Sequence, residues 1–195
     1  FNIAEFMHFT STMLKKEPRE RGQAGCMIVF CEFEQQFMLI QKAKEYGFNN
    51  YINLVFRKNY SAQVLKANMK IVGNCEYGIL LYRDKLPKFR NNGRMIFNCI
   101  DYPRDSETPM IHPTQKSVPL LKELIAIFTD PGDIVIDPCA GSGTTLIAAE
   151  ILGRKSYGFE IKKQFVGKKI TAAHVMGSIF NNYDGEDLET WDNEG

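Results

Sequence analysis

The chain has 195 residues, 44% of them hydrophobic and 24% charged, with a formal net charge of +1. Those values are ordinary for one soluble globular domain with room for a small insertion, and no apolar run approaches the length of a membrane span. The near-neutral total hides an asymmetry: Asp184 to Gly195 carries six acidic residues and no basic one, which leaves 24 basic against 17 acidic groups in residues 1–183.

The opening Phe1-Asn2-Ile3-Ala4-Glu5 lacks a basic region followed by an apolar one, so no secretory leader is expected. Phe in place of Met points to residues upstream. Cys26, Cys31, Cys75, Cys99 and Cys139 are odd in number and contain no C-x-x-C pair. Buried free thiols in a reducing cytoplasm are expected, and a zinc site is not.

Ile3 to Lys16 sets Ile3, Phe6, Met7, Thr10, Met13 and Leu14 on one helical face, closed by Pro18 and Gly22. Gly25 to Cys31 reads as a buried strand. Glu34 to Tyr46 reads as a helix with Phe37, Ile40, Ala43 and Tyr46 on its apolar side, and Tyr51 to Lys58 as a strand. This helix–strand rhythm is that of a doubly wound α/β domain. Asn59 to Gly73 has little periodicity and reads as a loop or short helix over the sheet edge. Glu76 to Tyr82 is a further strand, and Met95 to Ile100 a short one.

Between Asn53 and Arg94 lie nine basic residues against Glu76 and Asp84 alone. Here a polyanion would bind, with Arg57, Lys58, Lys66, Lys70, Lys88, Arg90 and Arg94 as phosphate contacts. Asn91, Asn92 or Arg94 would reach base edges. A solvated basic face has the same composition. His8 and His174 fall in predicted helices, and Glu32 and Glu34 follow a strand end; none of these demands a chemical role.

His112-Pro113-Thr114-Gln115-Lys116 precedes a helix that starts at Ser117 and presents Val118, Leu121, Leu124, Ile125 and Phe128. Asp133 to Asp137 is a short apolar strand, expected to be buried on both faces. Pro138-Cys139-Ala140-Gly141-Ser142-Gly143 is too glycine-rich to continue it. Thr144 to Leu152 is a helix ended by Gly153, and Ser156 to Ile161 a second strand carrying Glu160 near its end. Glycines at a strand-to-helix turn admit a ligand where a Cβ would block it, and an acidic residue at the next strand tip accepts ribose hydroxyls. The pattern describes a nucleoside-cofactor site at the C-terminal edge of a parallel sheet. A glycine turn with no ligand is the bland counterpart. A dinucleotide fingerprint needs a third glycine where Leu146 stands, and a P-loop needs a lysine that is absent after Gly143.

Asp-Pro-Cys-Ala-Gly-Ser-Gly-Thr-Thr at residues 137–145, preceded by His-Pro-Thr-Gln-Lys, resembles the β-group of S-adenosylmethionine-dependent DNA amino-methyltransferases, which modify adenine N6 or cytosine N4. Asn53 to Lys58 and Asn74 to Leu80 look like that family's strands preceding target recognition. Ser117 stands where the family usually has proline, and Cys139 where phenylalanine is commoner. The resemblance implies a Rossmann-like, doubly wound methyltransferase sheet within a single domain, residues 1–183, followed by a flexible acidic tail, 184–195. Within it, a basic DNA-recognition insertion would span about 59–111, and a cofactor half 112–176.

The resemblance further implies S-adenosylmethionine contacts at Thr114, Gln115, Lys116, Asp137, Pro138, Ala140, Gly141, Ser142, Gly143, Thr144 and Glu160, with Lys116 facing the donor's carboxylate. Its substrate would be double-stranded DNA with the target base flipped out: adenine first, cytosine second. It admits a homodimer and a cognate restriction endonuclease, in a prokaryotic or phage-infected cytoplasm. The family's Asp/Asn/Ser-Pro-Pro-aromatic motif, which holds the flipped base, has no counterpart in a chain without Pro-Pro. That motif is expected upstream of Phe1, so no catalytic residue is assigned. A DNA-binding module without catalysis, or a nicotinamide-dependent oxidoreductase, would account for parts of the same pattern.

Overall fold

The computed structural model describes residues 2–60, 63–102, 104–110 and 115–160. The chain divides into two compact units, Phe1–Arg104 and Asp105–Gly195.

The first unit begins with α1 (Ile3–Met13), β1 (Met27–Cys31), α2 (Gln35–Glu45) and β2 (Asn50–Lys58). It continues with β3 (Gln63–Lys66), a 3₁₀ turn (Ala67–Met69), β4 (Ile71–Gly73), β5 (Cys75–Tyr82) and β6 (Cys99–Tyr102). Helix α1 starts where it does because Asn2 Oδ1 accepts from the N–H groups of Ala4 at 3.0 Å and Glu5 at 3.3 Å, which have no partner inside the first turn. One side of the sheet is filled by α1 and α2: Met7, Leu39, Ala43, Phe48, Ile79 and Leu81 form one buried cluster. Leu54, Phe56, Leu80, Ile100 and Tyr102 are also buried, from alternate positions of β2, β5 and β6.

The fold is α/β, as the helix–strand alternation implies, and its four-stranded sheet is mixed, in the order β1-β5-β2-β6. Strand β5 runs antiparallel to both β1 and β2, while β2 and β6 are parallel. The central place of β5 follows from its unbroken apolar run, with Gly78, Ile79, Leu80 and Leu81 all buried. Gly78 is needed there: a Cβ would lie 3.0 Å from the Phe56 ring and 3.3 Å from the Val29 carbonyl oxygen.

Several local expectations shift. Helix α2 buries Gln36, Leu39 and Ala43, while Phe37 is 69% exposed. A strict spacing of three drifts off a 3.6-residue period, so the stripe through Phe37 starts on the wrong side. Residues 63–73, expected as part of a loop or short helix, form a hairpin around the 3₁₀ turn: Val64 pairs with Val72, and Lys70 takes the left-handed conformation at φ 55° that turns the chain. All five cysteines are free, but Cys75, Cys99 and Cys139 are exposed rather than buried. They sit at strand starts and in the glycine turn, where the chain leaves the core.

The second unit holds α3 (Val118–Phe128), β7 (Ile134–Asp137), α4 (Thr144–Ile151) and β8 (Lys155–Gly158). Ser117 caps α3 by accepting from Leu120 N at 3.3 Å. The helix buries Val118, Leu120, Leu121, Leu124, Ile125 and Ile127, more than a single stripe. Strands β7 and β8 are parallel, with Asp137 opposite Gly158. Ile134 is 55% exposed, so the first residue of β7 departs from the expected two-sided burial. Arg154 ties the unit's turns together, donating to Thr129 Oγ1 and Thr129 O, both at 2.9 Å, and to Leu152 O.

Met7 has no exposed surface, so Met7→Ala both removes buried area and leaves a cavity. Its expected cost is roughly 2–5 kcal/mol in urea unfolding. An unchanged midpoint would show that the α1–sheet packing contributes little.

Candidate functional site

The strongest sequence signal becomes a compact hydrogen-bonded turn in the second unit. Strand β7 ends at Asp137, whose Oδ1 accepts from Cys139 N at 2.9 Å and starts the bend. The parallel ladder outlasts the strands: Phe159 N donates to Asp137 O and Ala140 N to Phe159 O, both at 2.9 Å. Gly141 and Gly143 take φ of 53° and 78°, values that side chains rarely adopt. Gly143 N closes on Ala140 O at 2.7 Å, and α4 begins at Thr144 without a side-chain cap. Ser142 and Thr144 are buried beneath the turn.

Glu160 completes the arrangement. Its Oε2 accepts from Gly141 N at 3.0 Å, which holds the carboxylate against the turn at the C-terminal end of the parallel pair. A carboxylate has about four acceptor positions, and this bond occupies one of them. Cys139 reports the local field. Although the residue is exposed overall, its thiol pKa is raised above 9.0, first by partial desolvation against the turn and then by the charges of Asp137 and Glu160. Two carboxylates, Asp137 and Glu160, therefore act on one point of the turn.

The residues suit a sulfonium nucleoside. A Cβ on Gly143 would meet nothing within 4 Å among the described residues. The acceptors and backbone donors around it match ribose hydroxyls and a positively charged centre. Gln115 donates from Nε2 to Pro109 O at 2.9 Å, and Lys116 is half-buried just before the α3 cap. Thr114 lies outside the described residues, as do His112, His174 and the acidic tail.

Gly158 was not legible as a site residue, although a lone glycine in a strand marks close approach. A Cβ there would fall 2.7 Å from Leu146 Cδ1 and 2.9 Å from Ala140 Cβ. Its bareness lets α4 and the turn sit directly on β8.

The first unit distributes its basic residues unevenly. Arg57 binds Asp101 Oδ1 through Nε at 2.9 Å and Nη2 at 2.7 Å, because the β2–β6 register sets the two side by side. Lys58 is ion-paired with Glu76 and lies 5.3 Å from the centre of the Tyr102 ring. Arg83 donates to Ser11 O at 2.9 Å and covers Phe48. Lys88 is buried, its backbone bonded to Ala24 O at 3.1 Å. Lys66, Lys70, Arg90 and Arg94 are exposed. Among the described residues, no group of three or more His, Cys, Asp or Glu could hold a metal ion. None of the described helices is long and apolar enough to cross a membrane.

Gly158→Ala must push Leu146 or Ala140 aside. It is expected to destabilise the chain by roughly 1–3 kcal/mol, as overpacking does. Wild-type stability in thermal unfolding would contradict the tight α4–β8 seat.

Known proteins resemble this chain in sequence and fold. A family model described as DNA methylase, of the N6/N4 type, matches residues 1–171. DNA adenine methyltransferase YhdJ of Escherichia coli K12 is 33% identical over 159 residues, 80% of this chain and 48% of that protein. Putative methylase YubD of the same strain is 33% identical over 122 residues, 63% of this chain and 50% of that protein. The chain thus spans about half the length of the curated relatives it matches. The M1.HpyAVI–SAM complex superposes with a TM-score of 0.62 at 26% identity, covering 74% of this chain and 72% of that one. PvuII DNA methyltransferase (cytosine-N4-specific) shares the fold, with a TM-score of 0.68 at 19% identity over 96% of this chain and 74% of that one. The chain, matched by that model over most of its length, belongs to the N6/N4 DNA methylase family.

Proposed function

We propose that this chain forms the cofactor-holding and DNA-contacting part of an enzyme that transfers a methyl group from S-adenosylmethionine to the N6 amine of adenine in DNA. The observation that carries this reading is the Glu160 carboxylate fixed on the Gly141 N–H at the end of the β7–β8 pair. Adenine is favoured over cytosine N4 because YhdJ, named a DNA adenine methyltransferase, is 33% identical over 80% of this chain.

When bound, S-adenosylmethionine supplies a methyl group activated on a positively charged sulfur. Glu160 would hold the ribose hydroxyls, and the carboxylates near Cys139 would favour the positive charge. Asp137, Pro138 and Ala140 to Thr144 shape the turn, and Thr114, Gln115 and Lys116 are the residues proposed to meet the donor's amino-acid end. Orientation and exclusion of water account for most of what direct methyl transfer requires.

The DNA would be double-stranded, with the target base extruded at a few kcal/mol of unstacking cost, about the usual scale. Lys66, Lys70, Arg90 and Arg94 are the phosphate contacts, while Arg57 and Lys58 must first exchange their carboxylate partners. The 59–111 region acts as the recognition insertion, 112–176 as the cofactor half, and 184–195 as an acidic tail. The enzyme works in a prokaryotic or phage-infected cytoplasm, as a homodimer paired with a restriction endonuclease.

Calorimetry with S-adenosylmethionine or its demethylated product is expected to give a binding isotherm for the chain. Glu160→Gln should weaken it by about ten- to a hundredfold, the scale of a lost hydrogen bond to a charged group. No heat with either compound would remove the cofactor assignment. For DNA, Lys66→Ala and Lys70→Ala should each reduce the slope of log affinity against log salt by about 0.9, and Arg57→Ala by less. Equal slopes in all variants would exclude the hairpin from phosphate contact.

A further inference from the structure

The segment carrying Gln115 and Lys116 is held by residues that the motif does not contain. Asp105 Oδ1 accepts from the N–H groups of Glu107 at 3.1 Å and Thr108 at 3.0 Å, closing a tight turn at the start of the second unit. Its other oxygen, Oδ2, accepts from Val118 N at 3.1 Å, one of the first N–H groups of α3. Gln115 Nε2 reaches back to Pro109 O at 2.9 Å. The 105–109 stretch therefore grips 115–118 twice, once before Lys116 and once after it.

The turn is set against a local cost. Thr108 is 7% exposed, and its hydroxyl has no hydrogen-bond partner among the described residues. A buried polar group without a partner is disfavoured, so the three bonds to Asp105 hold the chain where its own side chain would not choose to sit. At the other end Val118 is fully buried, and Ser117 is engaged with Leu120 N, which leaves the start of α3 little freedom.

We propose that Asp105 is a positioning residue for the cofactor site: by joining the 107–108 turn to the first turn of α3, it fixes the backbone that aims Gln115 and Lys116 at the amino-acid end of the donor. This rests on the function proposed above. The role requires two acceptor oxygens pointing in different directions, which a carboxylate supplies and a carboxamide does not. In Asp105→Asn, one orientation keeps the Glu107 and Thr108 bonds but sets an NH₂ against the Val118 N–H. The flipped orientation keeps Val118 and loses the turn.

The test compares two ligands on wild type and Asp105→Asn by calorimetry, with thermal unfolding alongside. S-adenosylmethionine has the amino-acid end and a sulfonium; 5′-methylthioadenosine has the same nucleoside, a neutral thioether sulfur and no amino-acid end. Expected is a loss of about tenfold for S-adenosylmethionine, the scale on which a small misplacement of binding groups acts. Affinity for methylthioadenosine should stay within about twofold, because Glu160 and the glycine turn are untouched. Equal losses for both ligands would reduce Asp105 to a general fold contact and overturn the proposal, as would no loss for either. A wild-type chain that binds neither ligand would instead sink the cofactor assignment on which the proposal stands.

Discussion

A single charge-assisted hydrogen bond, from the Gly141 N–H to the Glu160 carboxylate, organises the second unit. It joins the tip of β8 to the turn that leaves β7, so the two parallel strands end as one surface rather than as separate loops. The backbone bonds of Phe159 to Asp137 and Ala140 extend the ladder to the same point. Gly158 then lets Leu146 of α4 lie flat on β8, and the left-handed glycines deliver the chain into that helix. Each part depends on the others. A carboxylate facing the turn is useful only if the turn cannot drift, and the turn cannot close without residues that lack side chains.

The charges around this turn bear on the ligand proposed for it. Helix N-termini are commonly used to hold phosphates, and α4 begins here without a side-chain cap. Yet Asp137 and Glu160 both raise the Cys139 thiol after burial has done so. A folded-state thiol pKa above the unfolded value contributes stability below the ordinary thiol range, and that contribution fades as pH rises past 9.0. The same two carboxylates would oppose a pyrophosphate, in keeping with Leu146 standing where a dinucleotide fingerprint has its third glycine.

Legibility differed between the two units for physical reasons. In the second, local signals suffice: Ser117 caps, Gly153 ends a helix at φ 72°, and alternation of strand and helix defines the parallel pair. In the first, the pairing partners are far apart in sequence. Nothing local to β1 or β2 says that β5 will lie between them, since both registers are set by burial of Ile79, Leu80 and Leu81. The hairpin at Val64 and Val72 was hidden because three- and four-residue strands carry too little periodicity. Gly158 and Asp105 escaped notice for another reason, since their value lies in what surrounds them: Leu146 and Ala140 for one, the Val118 amide for the other.

The ion pairs at the end of β2 change what the basic composition of that region means. Asp101 and Glu76 already neutralise Arg57 and Lys58, and Arg83 and Lys88 serve the unit's own packing. A polyanion meeting this face finds part of the formal charge committed to internal counterions. Its gain there is a difference between two similar partnerships, outside and inside, rather than a full electrostatic attraction. Under the proposed DNA contact, such an exchange would reward a ligand whose oxygens match the positions vacated by the carboxylates and return little to one that merely carries charge.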